Sequence, residues 1–306
     1  MINPFLLTGF HSKKYFCDRE KELASLFEHL ENERNIVLYS WRRLGKTALI
    51  RYFLSILEAE KRADTVYVDL LGTRDMQTAI RYISQAVFDR FGRTESGISA
   101  TFQKFMGSAG LDLTFDPVSG SPKIGFGIRS PVQGSTSLNS LGNYLMQRKK
   151  RAIIVIDEFQ QVTRYPDEDG ESVFRSWMQL FPGIRFIFCG SHRHMMVSMF
   201  SEKNRPFYLS AQLLHLDTID KQMYMRFIRR LFKAGGKTID NESLESIFAW
   251  SRMQTYCIQL VCNKLFGRYD KVGPEDLGSI YGEILDQEVL FSQSTQGCCQ
   301  RHNGKF

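Results

Sequence analysis

Apolar and polar residues alternate in two different rhythms along this chain. From residue 19 to about residue 210, short apolar runs take turns with stretches whose apolar residues recur at three and four. Arg19–Leu30 carries Leu23, Leu26, Phe27 and Leu30 on one helical face, with Asp18 placed to cap it. NIVLYS (35–40) is a short apolar run suited to a buried parallel strand, and TALIRYFLSILEAEK (47–61) is the amphipathic helix behind it. TVYVDL (65–70) is a second strand closed by a turn at Gly72, and residues 76–107 return to helical spacing. LDLTF and KIGFGI, within 111–128, alternate with period two around a Pro/Ser/Gly turn and predict a β-hairpin insert. A helix to about Lys150 precedes RAIIVIDEF (151–159), the most apolar strand of the chain. A polar loop, a helix over 171–181, a fourth strand IRFIFCGS (184–191) and a fifth at RPFYLS (205–210) follow.

After residue 211 the strand rhythm stops. DTIDKQMYMRFIRRLFKAGG, NESLESIFAW, MQTYCIQLVCNKLFG and PEDLGSIYGEILDQE all read as helices, separated by Gly, Asn, Asp or Pro. The order predicts a parallel-sheet α/β domain over 1–210, a small all-α domain over 211–288 and an irregular tail over 289–306. Residues 1–17 have no period and are expected to form an extended arm lying on the first domain.

Composition narrows the class. The chain has 306 residues, 43% of them hydrophobic and 24% charged, which excludes a mostly disordered or collagen-like chain. The six cysteines form no CxxC pair, so free thiols in a reducing compartment are expected. The apolar patch FLL near the start is too short for a signal-peptide core, and nothing approaches about 18 consecutive apolar residues. These features point to a cytoplasmic protein with no membrane partner. The net charge of +7 permits a polyanionic partner without demanding one.

The chemistry begins where the first strand meets its helix. Strand, SWRRLGKT, helix is the layout of a phosphate-binding P-loop, with Ser40 standing where the pattern GxxxxGK[ST] has its first Gly. A helix starting near Lys46 presents unpaired N–H groups and a positive dipole end, and Gly45 lets the backbone approach phosphates closely. Lys46 can reach the β- and γ-phosphates, and the Thr47 hydroxyl can ligand Mg2+. IIVIDEF puts Asp157 at the carboxyl end of a buried strand, where it can hold Mg2+, and Glu158 where it can orient or deprotonate a water. IFCGS ends another such strand, and Ser191, with His192 as runner-up, is the candidate polar contact to a γ-phosphate. Arg193 and Arg205 flank that region as candidate transition-state arginines. The clusters Arg148–Arg151 and Arg226, Arg229, Arg230 and Lys233 are solvated helix faces or nucleic-acid contacts.

These elements together resemble the additional-strand, catalytic-glutamate (ASCE) branch of P-loop ATPases and, more narrowly, the archaeal-type ATPase family, close to the STAND class. YFCDREKEL resembles the family's entry motif. NIVLYSWRRLGKTALI resembles its P-loop, in which Ser-Pro-Arg-Arg commonly precedes Gly-Lys-Thr and the first Gly is often missing. LTFDPVSGSPKIGF resembles its hairpin insert, and IIVIDEFQ and FIFCGSHRHMM its Walker B and sensor strands. The resemblance spans roughly residues 3–285.

The resemblance implies an ASCE sheet with the catalytic strand beside the P-loop strand, and a helical lid over the nucleotide. It implies ATP and Mg2+ as ligands. Lys46 and the loop residues Ser40, Arg42, Arg43, Leu44, Gly45, Thr47 and Ala48 would hold the phosphates, Thr47 and Asp157 the metal. Glu158 would position the water and Ser191 read the γ-phosphate, in slow ATP hydrolysis that acts as a switch on an unknown protein partner. The absence of an Asn-Lys-x-Asp guanine motif favours ATP over GTP. The wider class has a Gly-x-Pro motif that touches adenine. Neither residue occurs at 251–257, so Phe16 or Phe5 is expected either against the base or in the core. A C-terminal winged helix usually follows in the family. Here periodicity ends near Gln287–Val289, which predicts a truncation or a change of reading frame. The alternatives are a nucleic-acid-binding ATPase of origin-recognition-like type, or a truncated remnant that does not hydrolyse ATP.

Overall fold

Ala152–Asp157 is buried at all six positions, which requires a strand paired on both edges and covered on both faces. In the computed structural model it lies inside a five-stranded sheet. The structure describes all residues except 1–2, 8, 11, 95–96, 116–121, 127–132, 167–168 and 288–306. The sheet strands are β1 (Ile36–Tyr39), β2 (Asp64–Asp69), β3 (Ala152–Asp157), β4 (Arg185–Gly190) and β5 (Gln212–His215). They are parallel throughout and run in the order β2-β3-β4-β1-β5.

This order corrects one expectation. The strand carrying Asp157 is not beside the P-loop strand. A strand has two edges, and those of β1 are taken by β4, from Ile36↔Ile187 to Tyr39↔Gly190, and by β5. The fifth strand is also displaced from RPFYLS to Gln212–His215. Pro206 has no N–H for a ladder. The segment turns instead, with Tyr208 N donating to Arg205 O at 3.1 Å and Ser210 N to Phe207 O at 3.0 Å. Phe207 is fully buried and packs 5.3 Å from both Phe159 and Phe188, and 4.9 Å from Phe200. Burying such a ring contributes about 1.5–3 kcal/mol, enough to decide the conformation of six residues.

The chain divides into two compact units. The sheet unit comprises Glu20–Arg42 and Lys46–Asp217. Its helices are α1 (Glu20–Glu31), α2 (Lys46–Ala59), α3 (Met76–Val87), α4 (Ala100–Ala109), α5 (Gln133–Met146), α6 (Gly170–Leu180) and α7 (Arg193–Ser201). The helical pattern at 76–107 is broken by a π-helical turn, Phe88–Gly92, in which the Phe88 ring packs where a Cβ at Gly92 would stand. The hairpin forms as an antiparallel pair, Leu111–Phe115 with Pro122–Phe126; residues 116–121 and 127–128 of that segment lie outside the described residues. Asp75 and Asp169 cap α3 and α6 through their carboxylates, the side chain that satisfies free amides of a first turn.

The helical unit comprises Met1–Arg19, Arg43–Gly45 and Thr218–Phe306. It contains α8 (Lys221–Ala234), α9 (Asn241–Ser251), α10 (Thr255–Arg268) and a helix over 277–287. Asp220 and Asp240 cap α8 and α9. The expected arm belongs to this unit. Phe5 is 1% exposed and sits 5.3 Å from Phe232 and 5.8 Å from Phe266, so it is a core residue. Phe16 meets Phe10 edge-on at 5.7 Å. Helix α1 starts one residue later than expected, because Asp18 and Arg19 both take positive φ, 54° and 88°. Tail residues 289–306 lie outside the described residues. Among the described residues no helix is long and apolar enough to cross a membrane.

Candidate active site

The parallel register brings the carboxyl ends of four strands to one edge. Tyr39 pairs with Gly190, and Asp157 with Asp69. The next residues, Ser40, Ser191 and Glu158, therefore leave the sheet side by side. Ser40 is fully buried and its hydroxyl donates to the Trp41 carbonyl at 2.9 Å. It is not among the residues with positive φ, so this position accepts a side chain. Gly45 does need to be glycine, with φ at +91°. Lys46 begins α2, and Ala48 is half-buried in its first turn.

Lys46 is 7% exposed, and a cation so buried requires carboxylates. Its Nζ lies 3.8 Å from Asp157 Oδ1 and 3.9 Å from Glu158 Oε1. Both distances are at the outer edge of ion-pair contact, so the ammonium is shared between the two. Asp157 Oδ2 accepts from Thr47 Oγ1 at 3.1 Å and from the Tyr67 hydroxyl at 2.6 Å, and Oδ1 accepts from the Glu158 amide at 3.0 Å. Glu158 has φ +53°, which costs an L-residue about 1 kcal/mol. Its Oε2 accepts from Ser191 Oγ at 2.9 Å and from the Gln160 side-chain amide. Ser191 Oγ in turn accepts from Arg42 Nε at 3.3 Å. One network thus joins Arg42, Lys46, Thr47, Asp157, Glu158 and Ser191.

The electrostatics follow from burial among carboxylates. Burial pushes the Tyr67 hydroxyl upward and the Asp157 charge adds to it. Burial also raises Asp69, with Asp157 and Glu158 adding and the Leu71 amide and Lys46 opposing. The Cys189 thiol is pushed well up by burial and then by Asp157, which makes it inert. Thr47 and Asp157 present two hard oxygen donors in mutual contact, a set that fits Mg2+, which takes one or two carboxylates alongside substrate phosphates. Among the described residues no group of three or more His, Cys, Asp and Glu suits a metal held by protein alone.

Loop residues Arg43–Gly45 belong to the helical unit, and two of them are bonded within it. Arg43 O accepts from Tyr256 N at 3.0 Å, and the Arg43 guanidinium stands 5.2 Å from the Tyr256 ring centre. Leu44 O accepts from Arg19 Nη2 at 3.1 Å and Thr255 Oγ1 at 3.3 Å.

Several sequence candidates stand apart from this network. Arg193 and His192 are exposed at the start of α7. Arg205 makes a two-pronged ion pair with Glu171, at 3.1 and 2.5 Å. Arg148 pairs with Asp64 and Arg151 with Glu33. Three residues of the neighbourhood are not among the sequence candidates: Tyr67, Gln160 and Arg51, whose guanidinium lies 3.8 Å from the Tyr67 ring centre. The available signals were a Tyr inside the apolar run VYVD and a Gln two residues after Glu158.

Two expectations follow. Gly190→Ala would place a Cβ 2.4 Å from Met196 Cγ and 2.5 Å from Gln160 Oε1. It should cost about 1–3 kcal/mol, read as a lower melting temperature. Arg205→Ala should cost about 3 kcal/mol by leaving buried Glu171 unpaired, with turnover per folded molecule unchanged. A transition-state arginine would show the reverse. Burial holds the Glu171 carboxyl above its ordinary value, against Arg205, so folding favours its protonated form. Losing Arg205 lifts that value further, so the penalty in Arg205→Ala opens as pH rises through the wild-type carboxyl's raised value. Melting at about pH 4.5 should show a smaller loss than at about pH 8.

Comparison with known proteins bears on the family and the fold. Residues 16–258 match the model of a family described as an ATPase domain predominantly from Archaea. No curated protein matches. A Walker-type ATPase of Pyrococcus abyssi superposes with a TM-score of 0.64 at 19% identity, covering 98% of this chain and 80% of that one. The Aeropyrum pernix ORC1 protein, solved in complex with DNA, gives 0.60 at 15% identity over 88% of this chain and 66% of that one. The Aeropyrum pernix ORC2 protein, solved as ADPNP-ADP complexes, gives 0.58 at 13% identity over 92% and 71%. At these identities the likeness shows the fold, an α/β P-loop ATPase fold.

Proposed function

This chain belongs to the family of ATPase domains found predominantly in Archaea, and on that premise we propose that it is a slow Mg2+-dependent ATPase that uses its nucleotide cycle as a conformational switch. The observation that carries the proposal is a single cluster: Lys46 within 4 Å of both Asp157 and Glu158, with Thr47 on Asp157 and Ser191 on Glu158. Lys46 and the amides at the start of α2 bind the β- and γ-phosphates. Thr47 and Asp157 would hold Mg2+, which would neutralise phosphate charge when bound. Glu158 orients a water against the γ-phosphorus and takes its proton as the bond to the β-phosphate oxygen breaks, releasing ADP and phosphate. Ser191 holds Glu158 Oε2 and is placed to sense the γ-phosphate. In such a transfer the protein mainly positions and stabilises charge, which suits a rigid network of this kind. The switch reading is supported by Arg43 and Leu44, loop residues by sequence, whose carbonyls accept from Tyr256, Arg19 and Thr255. The output would act on a protein partner.

Equilibrium titration with ATP and GTP, in Mg2+ and in EDTA, tests the reading. ATP binding strengthened by Mg2+ is expected. A chain that binds neither nucleotide overturns it.

A second reading, nucleic-acid binding, is favoured by the helical unit's own charges. Lys221, Lys237, Lys264 and Arg268 pair with Glu245, Asp270 and Glu283, whereas Arg226 donates to Met223 Sδ and Arg230 to the Lys14 carbonyl. Affinity for a DNA duplex that falls steeply with salt would support it, and no binding at low salt would remove it.

A further inference from the structure

We infer that Tyr67 is a positioning residue for the Asp157 carboxylate, and that it sets how strongly the site prefers the Mg2+ complex of ATP over free ATP. The inference rests on the nucleotide-binding reading above and goes beyond it, because Tyr67 lies on neither strand nor loop of the phosphate and carboxylate motifs.

The argument starts from register. Tyr67 pairs with Val155 and Asp69 with Asp157, so Tyr67 stands two residues back from the carboxyl end of its strand. From there its hydroxyl reaches Asp157 Oδ2 at 2.6 Å, closer than the 3.1 Å of Thr47 Oγ1 to the same oxygen. A phenol donating to a carboxylate is a charge-assisted hydrogen bond, shorter and stronger than a neutral one. The other oxygen, Oδ1, accepts from the Glu158 amide at 3.0 Å. With one firm donor on each oxygen, the plane of the carboxylate is set by β2 and by the turn after β3. The ring that carries the hydroxyl is itself held, with the Arg51 guanidinium of α2 stacked 3.8 Å from its centre. Thr47 is the weaker of the two donors at Oδ2 and the one with a second task. When its hydroxyl turns to a metal, Tyr67 is the side chain still holding that oxygen. Partners behind a metal ligand usually matter by about 10–100-fold in metal affinity.

Tyr67→Phe removes one oxygen and keeps the ring and its stacking. The test is equilibrium titration of the full chain with a fluorescent ATP analogue, in Mg2+ and in EDTA. The variant should lose about 10–100-fold in affinity with Mg2+ and stay within about twofold in EDTA. In an Asp157→Ala background the same substitution should change nothing further, because its effect passes through that carboxylate. An unchanged Mg2+ preference in Tyr67→Phe overturns the inference, and so does an equal loss with and without metal, which would make Tyr67 a packing residue. Wild-type protein that binds no ATP in either condition would instead overturn the nucleotide-binding reading itself.

Discussion

Lys46→Ala is expected to abolish ATP binding, weakening it by at least about 100-fold, which corresponds to about 3 kcal/mol. Hydrogen bonds to charged groups are worth about 1.5–3 kcal/mol, and this ammonium would serve two phosphates. The loss has a second source. Asp157 is 3% exposed and Glu158 stands beside it, and Lys46 is the cation that both face. Without it, two carboxylates confront the incoming phosphates, so repulsion replaces attraction at the most charged part of the ligand. The variant should also melt somewhat lower, since a buried carboxylate has lost its counter-charge. A melting curve that remains cooperative, together with a flat titration, separates lost binding from lost folding. Binding within about threefold of the parent would mean that Lys46 is a structural counter-ion and that the phosphates lie elsewhere.

Glu158→Gln is the second large effect, and it has the opposite profile. The amide keeps the length of the side chain and can still accept from Ser191 and Gln160, the two donors now on Oε2. Binding should persist within a few-fold, while turnover falls by about 10²–10⁴, the usual worth of a general base. Removing one negative charge beside Lys46 should even favour bound triphosphate. The contrast between the two variants is therefore diagnostic. One loses the ligand, the other keeps it unreacted.

Much of this was legible in the sequence because it is local. The strand, loop and helix around Lys46 and Thr47 are one continuous stretch, from Ile36 to Ala59, and Asp157 and Glu158 follow directly from the apolar run before them. β1 to β4 read clearly because buried parallel strands are continuous apolar runs. β5 did not, since Gln212–His215 is an edge strand of four partly exposed residues, and RPFYLS imitates a strand more closely than it does. What failed to show was whatever depends on pairing across distance. Strand order places β4 between β1 and β3, and no local pattern encodes that. Tyr67 reaches Asp157, 90 residues away, only through the β2–β3 register. Arg205 reads from sequence as a free cation near the sensor strand, and only its contact with Glu171 on α6 gives it a different task. Phe5 is a similar case, an aromatic in an aperiodic arm that folding carries into the core of the helical unit.

The central claim, that Glu158 acts on a water while Lys46, Thr47 and Asp157 hold the nucleotide, is tested most directly by the identity of the bound nucleotide over time. Wild type and Glu158→Gln would each be loaded with ATP and Mg2+, quenched at intervals, and the ratio of bound ATP to ADP measured. The account predicts ADP accumulating on the wild type and ATP persisting on the variant. Conversion to ADP at the parental rate in Glu158→Gln would contradict it.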